Sequence, residues 1–338
     1  MQIDLNNLEI SHIVKEKYKR AIVKKWLYFG YEFADMTSLS KDAREKLASE
    51  FDFPIKVEKV FTSKDGTKKY LLKTFDSLIE CVVMNYEYGS TICISTQVGC
   101  RMGCVFCASG MDGLKRNLTA TEMYMQVAVI NRELGGDFKD RKITNIVLMG
   151  SGEPLDNFDN VVEFLNLVSS EDTLNISRRN ISLSTCGLVP EMKKLANLNL
   201  GVTLTISLHN PIQTEREKIM PIARKYKVDE VITEARNYFK KTGRRVIFEY
   251  TLIKGENDTE EHIAELKKII KGFPVHINCI MLNPVDGKMQ NTLTRKQCYA
   301  FVAKLEEAGL SASLRREMGS DIEGACGQLK RRYENDNA

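Results

Sequence analysis

The spacing of apolar and polar positions changes along the chain, and each change marks a different kind of element. From Ile13-Val14 through Leu27 apolar residues recur at helical spacing. The run Ser38-Leu39-Ser40-Lys41-Asp42-Ala43-Arg44-Glu45 opens a second helix with Ser40 as its N-cap. Residues 1–55 therefore read as a small helical accessory domain. From Val57 to Val83 the period shortens to that of strands around the tight turn Lys64-Asp65-Gly66-Thr67, so residues 56–85 read as a β-hairpin and linker region. Short β-branched runs follow at Thr91–Ser95, Ile143–Leu148, Asn180–Ser184, Val202–Ser207, Val246–Leu252 and Val275–Met281. Amphipathic stretches such as Thr121–Leu134, Val228–Lys240, Glu260–Lys271 and Arg295–Ala308 lie between them. That alternation implies a parallel sheet covered by helices. Six units fall short of the eight of a closed barrel, so the fold expected over residues 86–321 is α/β, a partial (β/α)6 TIM-like barrel. Residues 322–338 form a C-terminal segment that ends, from Tyr333 to Ala338, as a frayed polar tail.

Composition narrows the class. A chain of 338 residues with 43% hydrophobic content can bury a sizeable core. No run of about 18 apolar residues occurs, which excludes a helical membrane span. Met1-Gln2-Ile3-Asp4-Leu5-Asn6 has neither the basic nor the apolar part of a secretory signal, so a cytoplasmic location is expected. The net charge of +4 permits a nucleic-acid partner without indicating one, because phosphate binding needs clustered charge. Lys15, Lys17, Lys19, Arg20, Lys24 and Lys25 form a basic segment, read equally as a solvated helix face and as an RNA-backbone contact. Nine cysteines are many for a reducing compartment, where clustered ones signal metal ligation or catalysis.

Three of them, Cys100, Cys104 and Cys107, follow the first barrel strand in a C-x3-C-x2-C run. Three thiolates so spaced can wrap one iron–sulfur cube, whose usual ligand count is four. One iron would then be open to bind a substrate or cofactor. Zinc favours pairs of C-x2-C knuckles, and no second knuckle is present; unrelated buried cysteines would not gather at the strand end where barrel chemistry sits. Cys81, Cys186, Cys279 and Cys298 lie in strand or helix patterns and read as core cysteines.

With Phe106 before its last cysteine, the run resembles the signature of the radical S-adenosylmethionine superfamily. Further segments resemble its RNA adenine methyltransferases. These are Ser95-Thr96-Gln97-Val98-Gly99-Cys100, Arg116-Asn117-Leu118-Thr119, Met149-Gly150-Ser151-Gly152-Glu153-Pro154-Leu155 and Leu183-Ser184-Thr185. Ser207-Leu208-His209, Gly319-Ser320-Asp321-Ile322 and Ala325-Cys326-Gly327-Gln328-Leu329 complete the set. Together they span residues 57 to 330. Lys24-Lys25-Trp26-Leu27-Tyr28 and Met36-Thr37-Ser38-Leu39-Ser40 resemble the family's accessory region.

The resemblance implies a [4Fe–4S] cluster on Cys100, Cys104 and Cys107 and two S-adenosylmethionine molecules per turnover. It implies cofactor contacts by Gly152, Glu153, Ser184, Ser207, Leu208, His209 and Asn283. One S-adenosylmethionine would methylate Cys326 on sulfur, and a 5′-deoxyadenosyl radical from the second would activate that methyl for addition to adenine. Such chemistry is needed because C2 of adenine is electrophilic and does not accept a polar methyl transfer. Glu80 is the implied proton acceptor; from its residues alone it would read as a surface strand carboxylate. Cys93 is the implied resolving thiol, forming a transient disulfide with Cys326. The implied substrates are 23S rRNA at adenine 2503 and tRNA at adenine 37, with a reductant such as flavodoxin, no membrane, and a monomeric chain. Ser151 replaces the methionine or isoleucine of some relatives, and Pro154-Leu155 resembles the C2-methylating branch. A C8-methylating enzyme conferring ribosomal antibiotic resistance and a non-catalytic iron–sulfur RNA-binding protein are the alternatives.

Overall fold

The computed structural model describes residues 1–285 and 287–329, so the predicted tail from Tyr333 to Ala338 lies outside the described residues. Helices α1 (Lys17–Tyr28) and α2 (Lys41–Glu50) open the chain. Ser40 caps α2 as expected, its Oγ accepting from the Ala43 N–H at 3.3 Å. Strands β1 (Lys56–Thr62), β2 (Lys68–Lys73), β3 (Leu78–Tyr86) and β4 (Gly89–Cys93) then form an antiparallel run. After a short hairpin of β5 (Gln97–Gly99) and β6 (Leu114–Asn117), strands and helices alternate. They are α3 (Ala120–Glu133), β7 (Ile143–Leu148), α4 (Phe158–Val168), β8 (Ile181–Thr185), α5 (Val189–Leu198), β9 (Thr203–Ser207), α6 (Gln213–Ile219), α7 (Val228–Thr242), β10 (Val246–Leu252), α8 (Glu260–Ile269), β11 (Val275–Met281), α9 (Arg295–Glu307) and β12 (Ala312–Leu314).

One ten-stranded sheet runs in the order β1-β2-β3-β4-β7-β8-β9-β10-β11-β12, with β5-β6 as a separate pair. From β4 to β12 every neighbouring pair is parallel. The two ends do not meet, so the barrel is open, as its shortage of units predicts. Two details differ from the sequence expectation. The hairpin region is not a linker but extends the barrel sheet past β4, and β12 adds a seventh parallel strand. With three residues, β12 is too short to carry a visible period.

Helix α3 explains where the N-terminal helices go. A barrel helix normally buries one stripe and exposes the other. In α3 every residue from Ala120 to Asn131 is buried, because α1 and its flanking segments cover the outward face. The Leu5 N–H donates to Thr121 Oγ1 at 3.0 Å, and the Tyr124 hydroxyl donates to the Tyr28 carbonyl at 2.6 Å. Gly30 sits against the α3 backbone, where an added Cβ would lie 2.7 Å from the Ala128 carbonyl oxygen. Its φ of +74° is one that side-chain-bearing residues rarely adopt. One large apolar core results, running from Ile3 to Ala312. No helix among the described residues is long and apolar enough to cross a membrane.

Candidate active site

The C-terminal ends of the parallel strands converge on a cavity of about 930 Å³, the edge at which open α/β sheets and barrels bind ligands. The loop carrying the three cysteines hangs over this edge from the β5–β6 hairpin. The Cys100 N–H donates to the Gly113 carbonyl at 3.0 Å and the Val105 N–H to the Ile219 carbonyl at 3.0 Å, which pins the loop to the end of α6. Cys100, Cys104 and Cys107 all face the cavity. Burial pushes the Cys100 thiol up to about 12 and raises Cys104 as well, reinforced in both by the charge of Cys107. Thiols that feel one another this way require a cationic partner to ionise together. Among the described residues no three ligating side chains are gathered to hold one metal ion. Three sulfurs facing a common hollow suit a larger group with several metal corners, and the donor set therefore fits the iron–sulfur cube.

Gly152, Glu153, Ser184, Ser207, His209 and Asn283 line the same cavity, each at or just beyond a strand end. Gly152 has φ +111°, and a Cβ there would stand 2.7 Å from Thr96 Oγ1, so the turn after β7 can press against the segment joining β4 to β5 only as glycine. Glu153 is buried and accepts from the N–H groups of Leu155 at 3.1 Å and Cys186 at 2.8 Å, while burial raises its pKa above the ordinary carboxylate range. His209 accepts at Nδ1 from the Thr251 N–H at 2.9 Å and stands edge-on to Phe106 with ring centroids 4.9 Å apart. Burial, aided by the Arg216 charge, lowers its pKa to about 3, so the ring is neutral. Leu208 is the exception: it is fully buried and does not line the cavity. Its backbone N–H donates to the Glu249 carbonyl at 3.1 Å and its carbonyl accepts from Arg216 Nε at 2.9 Å.

Cys326 stands where this cavity adjoins a second one, of about 570 Å³. Cys93 on β4 lines the second cavity. Both cysteines are free thiols, as are the other seven. Burial raises both, Cys93 to about 12, and each is pulled back by the half-buried Arg315 guanidinium. The loop around Cys326 is held by backbone and side-chain contacts. Asn283 Nδ2 donates to the Cys326 carbonyl at 3.0 Å, and the Ala108 N–H donates to the Gly327 carbonyl at 2.8 Å.

Glu80 differs from its bare-sequence reading. It is buried on β3 and paired with Lys69 Nζ at 3.2 Å, both side chains 3% exposed. It borders a separate hollow of about 350 Å³ under the cysteine loop, beyond Leu329 from the Cys326 cavity. Cys81, Cys279 and Cys298 are core residues as expected, whereas Cys186 is both buried and part of the cavity wall.

Sequence reasoning missed Arg315, Glu249 and Arg216. Glu249 accepts from Asn278 Nδ2 at 3.1 Å and faces Arg315 at 4.0 Å. A carboxylate inside the apolar run Val246–Leu252 was the available signal, since a charge in a buried strand needs a partner. Arg216, fully buried, donates to the carbonyls of Cys186, Ser207 and Leu208 and so fixes two strand ends.

The fold and this cavity define an enzyme class, and the comparisons agree on it. A family model described as the Radical SAM superfamily matches residues 94–266. Two relatives, from Clostridium novyi (strain NT) and Lachnoclostridium phytofermentans, are each named "Probable dual-specificity RNA methyltransferase RlmN". They are 46% identical to this chain, covering 94% and 98% of it and 93% and 94% of their own lengths. A crystal structure of a radical SAM methyltransferase from Sphaerobacter thermophilus superposes with a TM-score of 0.89 at 37% identity, over 97% of both chains. The chain belongs to the radical SAM superfamily and, within it, to the RlmN family of RNA methyltransferases.

Proposed function

We propose that this chain methylates C2 of adenine in 23S rRNA (adenine 2503) and in tRNA (adenine 37) through an S-methylated Cys326. The observation that carries the reading is the position of Cys326, at the junction of the cavity lined by Cys100, Cys104 and Cys107 and the cavity lined by Cys93. Cys100, Cys104 and Cys107 would hold the [4Fe–4S] cluster. Glu153, Ser184, Ser207, His209 and Asn283, with the backbone of Gly152, would hold S-adenosylmethionine. Bound together, these groups supply a 5′-deoxyadenosyl radical that activates the methyl carried on Cys326.

The chain's own residues do the rest. Buried Glu153 offers a carboxylate for the methionine ammonium, and neutral His209 can donate a hydrogen bond from Nε2 without adding charge. Cys326 presents its methyl carbon to the ring: that carbon would lose one hydrogen atom to the radical, and a C–C bond forms. The covalent RNA–protein adduct regains ring aromaticity by giving one electron back to the redox system that supplied it and by losing the ring proton. Glu80 accepts the proton from the ring carbon. The Cys93 thiolate then attacks Cys326 Sγ: an S–S bond forms, and the bond between Cys326 Sγ and the transferred carbon breaks with its electron pair left on that carbon. The carbon, still attached to the base, takes up a proton to become the product methyl. In a reducing cytoplasm such a disulfide is transient. The exposed Lys15, Lys17 and Lys25, in α1 and just before it, are suited to phosphate contacts.

Replacing Cys93 by alanine is expected to trap protein crosslinked to RNA, and replacing Cys326 to abolish both adduct and product. Equal behaviour of the two variants, with no adduct in either, overturns the assignment of the resolving thiol. Mass spectrometry of rRNA from cells expressing the chain should place the new methyl on C2; a methyl on C8 replaces the proposed regiochemistry.

A further inference from the structure

The sheet register gathers the side chains of the proposed resolution step on one face. In the antiparallel run β2-β3-β4, Lys69 lies opposite Val82 and Val82 opposite Cys93, a single cross-strand row. Directly paired residues point to the same side of a sheet, and so do residues two apart on one strand. Glu80, two before Val82, therefore shares the face of Lys69 and Cys93. The loop carrying Cys326 lies over that face: Leu329 packs with Val82, Met84, Cys93 and Met318 in one small apolar cluster.

Lys69 is the unexpected member of this row. An ion pair with both partners 3% exposed is a poor stabilising device, since removing two charges from water offsets most of their attraction. Its Nζ lies 3.2 Å from Glu80 Oε1 and 3.5 Å from the Glu323 carbonyl, three residues before Cys326. The aromatic face of Phe61 covers it at 5.2 Å. Other contacts hold the Cys326 loop without Lys69. Ser63 Oγ donates to Asp321 Oδ1 at 2.5 Å, the Gly319 N–H donates to Asp65 Oδ2 at 3.0 Å, and Asn283 donates to the Cys326 carbonyl.

We propose that Lys69 is a positioning residue of the reaction, whose ammonium holds the Glu80 carboxylate ionised and aimed beside the Cys326 loop so that it can accept the proton. The proposal rests on the reading of Glu80 as proton acceptor. A carboxylate in so dry a place would otherwise take up a proton from solvent and be useless as a base. Lys69 takes no proton from substrate and touches no reacting atom; it acts through Glu80. The methylation of Cys326 precedes this step and needs neither group.

The test uses the full-length chain with its cluster reconstituted, S-adenosylmethionine, and an RNA transcript bearing the target adenine. Glu80→Gln, Lys69→Met and Lys69→Arg are compared for Cys326 methylation by peptide mass spectrometry, for crosslinked RNA on denaturing gels, and for turnover. All three are expected to methylate Cys326. Glu80→Gln and Lys69→Met should both accumulate the crosslink and lose turnover on the order of 10²-fold, while Lys69→Arg, which keeps the charge, recovers most of it. Normal turnover without crosslink in Lys69→Met, alongside trapping in Glu80→Gln, overturns the role of Lys69 and leaves Glu80 standing. Normal turnover in Glu80→Gln instead removes the proton-acceptor reading, and the role of Lys69 with it. If Lys69→Met fails to methylate Cys326, the double variant Lys69→Met/Glu80→Gln decides. Restored methylation with a trapped crosslink supports an action through Glu80, and continued failure makes Lys69 structural.

Discussion

Cys93 has to be a thiolate to attack Cys326, yet burial pushes its thiol up to about 12. At neutral pH only a small fraction is ionised, so resolution of the adduct should be its slow step. The sign follows directly. Below the thiol's pKa the thiolate fraction rises about tenfold per pH unit. The decay rate of purified RNA–protein adduct should climb nearly as steeply between about pH 7 and 9. Arg315 pulls the same thiol down, so Arg315→Met should slow decay at any fixed pH and displace the profile to higher pH. A decay rate indifferent to pH in the unmodified chain would mean that the nucleophile is not this buried thiol. At this scale Cys100, Cys104 and Cys107 stood out because thiol spacing is itself the chemical signal, whereas Cys93 and Cys326 were singled out only by the family resemblance. Lys69, Arg315 and Arg216 were not, because a basic residue in sequence looks the same whether it is solvated or buried against a carboxylate, a thiol or a carbonyl.

Turns and short strands place those residues, and two glycines separate the two ways a turn can be specified. Gly66, in the β1–β2 turn, has φ +84° and open space around it, whereas Gly152 has φ +111° and would drive a Cβ into Thr96 and Gln97. Gly66→Ala should cost only the backbone strain of about 1–2 kcal/mol. Gly152→Ala should cost that strain and also displace the Thr96–Gln97 segment after β4. Thermal melts should rank the two, and equilibrium dialysis with S-adenosylmethionine should show binding lost in Gly152→Ala alone. Equal binding in both would mean that this turn does not shape the cofactor site. The barrel strands Ile143–Leu148, Val246–Leu252 and Val275–Met281 were legible to the residue, since long apolar β-branched runs bounded by polar residues have one reading. Strands β5, β6 and β12 were not. They are three or four residues long and exist because a neighbouring backbone offers hydrogen bonds, which local sequence does not encode.

Across the whole molecule the N-terminal helices pose the remaining question, whether they are an appended module or part of the barrel's own core. Leu5, Ile10, Val23, Leu27 and Leu47 are each at most 1% exposed and belong to the same apolar cluster as α3 and the sheet. Arg132 of α3 adds an ion pair to Asp35 at 2.8 Å. Without that cover α3 would present to water the face of Thr121, Tyr124 and Ala128, including the fully buried Tyr124 ring, against which the N-terminal segments now pack. Unfolding of the N-terminal helices and of the barrel should therefore coincide. The chain supplies its own probe, because its single tryptophan, Trp26, lies in α1 and packs edge-on against Tyr31 and Phe138 with centroids 4.8 and 5.4 Å away. Far-ultraviolet circular dichroism instead reports mainly on the barrel helices. Denaturant curves followed by tryptophan fluorescence and by circular dichroism should superimpose. Leu27→Ala, which opens a cavity at the shared core, should shift both by the same amount, about 2–5 kcal/mol. If fluorescence is lost well before ellipticity, or Leu27→Ala moves only the fluorescence curve, the helices fold as an independent module.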